Sequence, residues 1–165
     1  MKDAAEPNHI QVFGHRGARG IYPENTMSGF QYVHDIGVTA VEVDVQNAAN
    51  RLTVMAHDPH VTLADNSTSS FDTRLIRSLS AEQLSQLKVG ALRPASNDHA
   101  LFPDQAQLPD ERVPTFATFC EWAANHTSML LNIEIKSHAL KPDLFDAPEV
   151  IICLLYTSPS PRDRG

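Results

Sequence analysis

Cysteine is scarce in this chain, with two among 165 residues. Cys120 and Cys153 stand alone and form no CxxC pair, which argues against a disulfide framework and against a zinc site. Buried, reduced thiols are the expected state, and they favour the cytoplasm as the compartment. Long apolar runs are also missing. The longest near the carboxyl end, residues 150–155, is far shorter than the roughly 20 residues of a spanning helix, so we expect no membrane insertion.

Basic residues are outnumbered, with 13 Lys and Arg against 20 Asp and Glu, which gives a formal charge of -7. This negative balance argues against a general affinity for nucleic acid or for anionic membranes. Any bound phosphate must therefore meet a few local cations or a metal ion. Residues 1–10 include Lys2, Asp3 and Glu6 and have no apolar core, so we also expect no secretory signal.

The composition, with 42% hydrophobic and 20% charged residues, is that of one globular domain with a real core. Hydrophobic periodicity and capping residues predict the order β-α-β-β-α-α-β. The predicted helix starts are at Thr26, at Ser80 with a capping box, and at Thr115. Only residues 46–51 separate the second and third strands, which is too few for a crossover helix. This order predicts an α/β sheet or barrel with an insertion between Pro59 and Val113.

Two predicted strands carry charges on a face that is normally apolar in an α/β strand. Glu42 and Asp44 share one face of residues 40–45, and Glu134 and Lys136 share one face of a later strand. One interpretation is a pair of amphipathic edge strands whose charges lie in water. The other is that Glu42, Asp44 and Glu134 converge on a divalent cation. An all-oxygen set of ligands selects a hard ion, Mg²⁺ or Ca²⁺.

His15 and His57 each follow a predicted strand and begin a loop, the position at which α/β folds place catalytic groups. A single histidine there is more often a structural residue. Two histidines beside carboxylates favour acid–base chemistry, because phosphodiester hydrolysis moves one proton from the nucleophile and another to the leaving oxygen. Arg16 and Lys136 are candidates for binding the non-bridging phosphate oxygens, and the alternative for each is a structural ion pair.

Five motifs, taken in order, resemble the signature of the glycerophosphodiester phosphodiesterase family. They are His15-Arg16-Gly17, Pro23-Glu24-Asn25-Thr26, Glu42-Val43-Asp44-Val45, His57-Asp58 and Glu134-Ile135-Lys136, and Val113-Pro114-Thr115 also matches the lead-in to the last. The resemblance covers most of the chain, from about Val12 to about Lys136. One departure is Asn47-Ala48-Ala49-Asn50, which stands where the family has a Thr-x-Asp-Gly turn. The departure concerns the geometry of this turn and not the chemistry.

The resemblance implies a TIM-type (β/α) barrel, truncated here to about its first half, and a divalent metal, Mg²⁺ or Ca²⁺. It implies hydrolysis of small-molecule glycerophosphodiesters to glycerol 3-phosphate and an alcohol. It also implies the roles of the site residues. Glu42, Asp44 and Glu134 would be metal ligands, His15 and His57 the acid–base pair, Arg16 and Lys136 phosphate contacts, and Glu24 and Asn25 the residues that shape the loop beneath the site.

Two other functions share part of this pattern. A related barrel phosphodiesterase acting on lipid would use a similar histidine pair and metal, but the sequence offers no membrane-binding surface. A non-catalytic domain that binds phosphate or acts as a scaffold would be marked by a lost histidine or carboxylate, and the motifs are complete.

The carboxyl end of the chain changes in composition. We expect residues 1–152 to be a partial phosphodiesterase domain that is inactive on its own. Residues 153–165 end in a run rich in Ser, Pro and Arg, which predicts a non-native tail. The alternative is a natural disordered terminus.

Overall fold

The structure, a computed structural model, describes residues 10–63, 72–92 and 96–157. These residues form six β-strands and five α-helices, with short 3₁₀ helices at Ala49–Arg51 and Ile76–Ser78. The strands are β1 (Gly14–His15), β2 (Ala40–Asn47), β3 (Thr53–Met55), β4 (His60–Leu63), β5 (Asp72–Leu75) and β6 (Leu130–Ile135). The helices are α1 (Met27–Asp35), α2 (Ala81–Gln86), α3 (Asn97–Leu101), α4 (Phe116–Ala124) and α5 (Pro148–Thr157).

Strand β2 is the centre of the main sheet. Strand β6 pairs with it in parallel and fills one edge from Ala40 to Val45. On the other edge, β1 pairs in parallel with the start of β2, and β3 pairs antiparallel with its end. Strands β1 and β3 therefore lie end to end, and the gap between them falls opposite Val43 and Asp44.

Strand β3 runs in the opposite direction to the rest of the main sheet. Three of its four strands are parallel, and β3 is antiparallel. The reason is the short connection after β2, which permits a hairpin-like reversal and no crossover helix.

Local capping chemistry sets the helix starts as predicted. The Thr26 hydroxyl accepts the Gly29 N–H at 3.2 Å at the start of α1. Ser80 forms the expected capping box at α2, and Thr115 caps α4. Gly37, which follows α1, has φ 81°, a conformation that glycine adopts without strain.

The main core lies on the odd-numbered face of β2. Val41, Val43 and Val45 are fully buried there and pack with Phe30 of α1 and Phe119 of α4. Because side chains alternate along a strand, the even-numbered residues point to the opposite face. In a barrel, the face covered by helices is the outer one, so the even-numbered face is the interior.

The insertion between Pro59 and Val113 contains more structure than the sequence predicted. Strands β4 and β5 form an antiparallel pair, and helix α3 follows α2 within the insertion. Both were missed because their sequences are short and polar, so neither builds a clear hydrophobic period. The insertion packs over a second core that includes Val54, Ile76 and Leu84.

Parallel β1, β2 and β6, with helices on one face, form the opening part of a TIM-type (β/α) barrel. Among the described strands this sheet stays open. Helix α5 crosses the expected boundary at residue 152 and continues to Thr157, and residues 158–165 lie outside the described part of the chain. None of the helices described here has the length and apolar character needed to span a bilayer.

The cysteines differ in exposure. Cys120 is half-buried, whereas Cys153 is exposed, and both are outside any disulfide bond. The expectation that both thiols are buried is therefore wrong for Cys153, which lies on the outer surface of the terminal helix.

Candidate active site

Glu42, Asp44 and Glu134 lie together on the even-numbered face of the β2–β6 pair. The strand register places Asp44 directly opposite Glu134. One carboxylate oxygen from each of the three residues lies within 4.8 Å of the others. Asp44 is fully buried, and Glu134 is 54% exposed. The structure thus brings together the three carboxylates that strand alternation placed on one face.

Two cations lie against these carboxylates. Lys136 Nζ is 2.6 Å from Glu134 Oε1 and 3.5 Å from Asp44 Oδ1. Arg16 Nε is 3.4 Å from Asp44 Oδ2, and the Arg16 backbone N–H donates to Glu42 Oε2 at 2.9 Å. The hydrogen bond from Lys136 lowers the pKa of Glu134, with smaller electrostatic contributions from Lys136, His57 and Arg16 and an opposing effect of burial.

The donor set fits a hard divalent cation. Carboxylate oxygens are the ligands that Mg²⁺ and Ca²⁺ prefer. Asp44 Oδ1 is buried and has no hydrogen-bond partner within the described residues, so it has a free lone pair for a cation. Three negative charges face two positive charges from Arg16 and Lys136, and a bound cation would reduce the repulsion that remains.

Asn25 ties the loop after β1 to Asp44. Its amide nitrogen donates to Asp44 Oδ2 at 2.8 Å, and its amide oxygen accepts the Asp44 backbone N–H at 3.1 Å. The Asn25 N–H donates to the Arg16 carbonyl at 2.9 Å. Arg16 and Asn25 have φ values of 52° and 53°, which is an uncommon conformation for a non-glycine residue and is typical of functional loops. These contacts fill the gap between β1 and β3.

Glu24 holds two arginines of the same loop. Its Oε2 accepts from Arg16 Nη1 at 2.9 Å and lies 2.8 Å from Arg19 Nε. The Arg16 guanidinium is therefore fixed between Glu24 and Asp44.

His15 and His57 approach the gap from its two sides. His15 pairs with Glu42 across β1 and β2, and its Nε2 is 3.9 Å from Glu42 Oε2. His57 follows β3, and its Nδ1 is 2.7 Å from Asp58 Oδ1. A carboxylate oxygen accepts a hydrogen bond from Nδ1–H, and in the tautomer that makes this bond the lone pair of the ring is on Nε2.

A cavity of about 210 Å³ adjoins His57. Asn25 and Glu24 of the loop line one part of it, and Val61 and Leu92 of the insertion line another. The insertion therefore contributes a wall beside this histidine.

Gln46 and Arg19 also lie beside the carboxylates and the loop after β1, and neither was predicted from the sequence as a site residue. Gln46 continues the even-numbered series of Glu42 and Asp44, and strand alternation was the signal that could have found it. Arg19 pairs with Glu24 and with Asp98 of the insertion. Asp98, its partner in α3, is 79 residues away in sequence. No local sequence pattern could therefore predict this ion pair.

These features define an α/β protein of the TIM-barrel type with a candidate divalent-metal centre beside two histidines at the ends of β1 and β3. The profile of the glycerophosphoryl diester phosphodiesterase family matches residues 15–153. The chain belongs to this family.

Proteins of similar sequence and of similar structure support the assignment to this family. Human glycerophosphodiester phosphodiesterase 1 is 31% identical over 134 residues, which cover 81% of this chain and 36% of the human protein. A Silicibacter pomeroyi protein assigned to the glycerophosphoryl diester phosphodiesterases superposes with a TM-score of 0.78 at 28% identity, covering 92% of this chain and 53% of that one. An Oleispira antarctica phosphodiesterase in complex with the product sn-glycerol-3-phosphate has a TM-score of 0.61 at 25% identity, with 92% and 54% covered. The chain thus spans about a third to a half of these relatives.

Proposed function

We propose that the complete protein containing this chain hydrolyses glycerophosphodiesters to glycerol 3-phosphate and an alcohol, with Mg²⁺ or Ca²⁺ at the active site. The observation that carries the proposal is the cluster of Glu42, Asp44 and Glu134, with His15 Nε2 3.9 Å from Glu42 Oε2 and His57 following β3 on the same edge of β2 as β1. The sn-glycerol-3-phosphate bound by the Oleispira antarctica neighbour supports the same product class.

Each side chain has a role that its position supports. Glu42, Asp44 and Glu134 would hold the cation, which supplies charge stabilisation to the phosphate when bound. Arg16 and Lys136, the two cations beside the carboxylates, would bind non-bridging phosphate oxygens. His15 and His57 would divide the two proton transfers, one from the nucleophile and one to the leaving oxygen.

The metal requirement is tested by assaying glycerol 3-phosphate release from glycerophosphocholine. The complete protein is dialysed against EDTA and then supplied with Mg²⁺ or Ca²⁺. We expect turnover to disappear with the chelator and to return with one of the ions, because buried carboxylates facing one another require cationic partners. Asp44→Asn should lose the metal response, whereas the exposed Asp104→Asn serves as the matched control. Full turnover after chelation would overturn the metal assignment.

Partners and location stay predictions from the sequence. The charge of -7 disfavours nucleic acid and anionic membrane as partners, and the cysteine content favours the cytoplasm. Cell fractionation with an antibody to the complete protein tests the location.

A further inference from the structure

Gln46 makes an unusual pair of contacts on the active-site face of β2. The residue is 1% exposed. Its Nε2 donates to the Ala56 carbonyl at 3.0 Å and to the Asp58 carbonyl at 2.7 Å. Carbonyl oxygens only accept hydrogen bonds, so the amide nitrogen must face them. These two carbonyls belong to the residues on either side of His57.

The backbone around His57 lies where the strand ladder ends. Met55 is the last residue of β3 paired with β2, and the Ala56 N–H still donates to the Asp44 carbonyl at 3.1 Å. Beyond this point the Gln46 amide takes the place of a strand partner, because it binds the carbonyl before His57 and the carbonyl after it. A single side chain thus restrains both ends of the His57 backbone.

The oxygen of the same amide, unlike its nitrogen, is unsatisfied within the described part of the chain. Gln46 Oε1 is buried without a hydrogen-bond partner among the described residues. Burying an acceptor without a partner is unfavourable. The side chain is therefore held by its two donated hydrogen bonds, which an apolar residue of similar length could not supply to the Ala56 and Asp58 carbonyls.

We propose that Gln46 is a positioning residue that holds His57 in register with the carboxylate cluster. The inference rests on the proposed function, in which His57 transfers a proton. Gln46 fixes the backbone on both sides of the histidine, and Asp58 orients the ring through Nδ1. The two restraints together aim Nε2, the nitrogen that exchanges the proton.

The test uses the complete protein with Gln46→Met, which keeps the side-chain length and removes both the donors and the unsatisfied oxygen. We expect kcat to fall about 10- to 100-fold, the usual effect of losing an orienting contact. KM should change little, because Arg16 and Lys136 keep their contacts. Gln107→Met, at an exposed position, is the matched control.

A double-mutant cycle separates positioning from general damage. If Gln46 acts through His57, Gln46→Met should lower kcat no further in a His57→Ala background. The limb of the pH profile that disappears in His57→Ala should also change in Gln46→Met. A kcat within twofold of wild type, or an equal loss in both backgrounds, would overturn the proposal.

An NMR measurement keeps the inference testable if the proposed reaction fails. Should the complete wild-type protein hydrolyse no glycerophosphodiester, the ring resonances of His57 report its placement directly. Gln46→Met should then shift or broaden the His57 signals and leave those of His34 unchanged. Unaltered His57 signals in a folded variant would refute the positioning role.

Discussion

The two histidines of the site are held to different degrees. His15 is 62% exposed, and its nearest acidic contact is at 3.9 Å. His57 is 29% exposed and is bound to Asp58 at 2.7 Å. Of the two histidines, His57 is therefore the more firmly placed.

Replacing either histidine should reduce turnover in the complete protein. We expect His15→Ala and His57→Ala each to lower kcat by about 10²–10⁴ with the fold retained, because a positioned acid or base contributes this much. Steady-state kinetics with glycerophosphocholine and circular dichroism provide the measurement. His34→Ala, at the end of α1 and away from the cluster, is the control. Near-normal kcat in one variant would reassign that histidine to a structural role.

Thiol chemistry should report the burial of Cys120. Burial raises the pKa of its thiol, with a smaller contribution from Glu121. A raised pKa leaves less reactive thiolate at pH 8, so alkylation of Cys120 in the folded complete protein should be slow and should accelerate as the pH rises further. Mass spectrometry after timed iodoacetamide treatment measures the rate. The same protein in urea is the control, and equal rates in the folded and the unfolded protein would contradict the prediction.

At the scale of elements, Arg19 links the loop after β1 to helix α3. Its guanidinium is 2.8 Å from Glu24 Oε2 and 2.7 Å from Asp98 Oδ1. The same group lies 5.3 Å from the centre of the Phe102 ring. Gln105 donates to the Arg19 carbonyl at 2.7 Å. The insertion is thereby attached to the loop that carries Arg16 and Glu24.

Removing this link should loosen the insertion. We expect Arg19→Gln to speed hydrogen exchange of the α3 amides about two- to fivefold, which corresponds to the roughly 0.5–1 kcal/mol of a partly exposed ion pair. Asp98→Asn should have a similar effect, and the double variant should add little to either. Lys88→Gln, which breaks the exposed pair with Asp110, is the control. Unchanged α3 exchange in both single variants would show that the pair does not hold the insertion.

The elements also show what the sequence could predict. Thr26, Ser80 and Thr115 marked three helix starts, because capping is a local property of the chain. Strand alternation placed Glu42 and Asp44 on one face for the same reason. The role of Gln46 escaped prediction because its contacts depend on where the antiparallel β3 ends. Alternation puts Gln46 on the same face as Glu42 and Asp44, but the pairing that creates its hydrogen bonds is non-local and leaves no signal in the sequence.

At the scale of the whole molecule, the main sheet has open edges among the described strands. Strands β1 and β6 each pair with β2 alone. Exposed apolar side chains flank β1, including Val12 at 61% and Ile10 at 89%. Unpaired edges and exposed apolar faces favour aggregation.

The 165-residue chain by itself should therefore fail as an enzyme. We expect a broad or absent thermal transition, aggregation through the open edge, and no turnover, because a TIM barrel takes about 250 residues. Differential scanning calorimetry, light scattering and the glycerophosphocholine assay measure these properties, with the complete protein as the control. A sharp cooperative melt together with normal turnover of the isolated chain would refute this expectation.

The proposed boundary at residue 152 has its own test. We expect the natural gene to diverge from this sequence after residue 152 and to encode the remaining barrel, with residues 153–165 replaced. Sequencing of the genomic locus measures this directly. A locus that encodes residues 153–165 in frame would identify the terminus as natural.

The end-to-end placement of β1 and β3 along one edge of β2 has a consequence for how this family can diversify. Both histidines are positioned by reference to the same strand, His15 through β1 and His57 through β3. The chain leaves this edge after His57 and returns beside Met55 only at Pro114, whose carbonyl accepts the Met55 N–H at 2.9 Å. The intervening insertion can therefore lengthen, shorten or change its surface without altering the spacing of the two histidines. The residues that line the cavity beside His57 can therefore change while the positions of His15 and His57 relative to β2 stay the same.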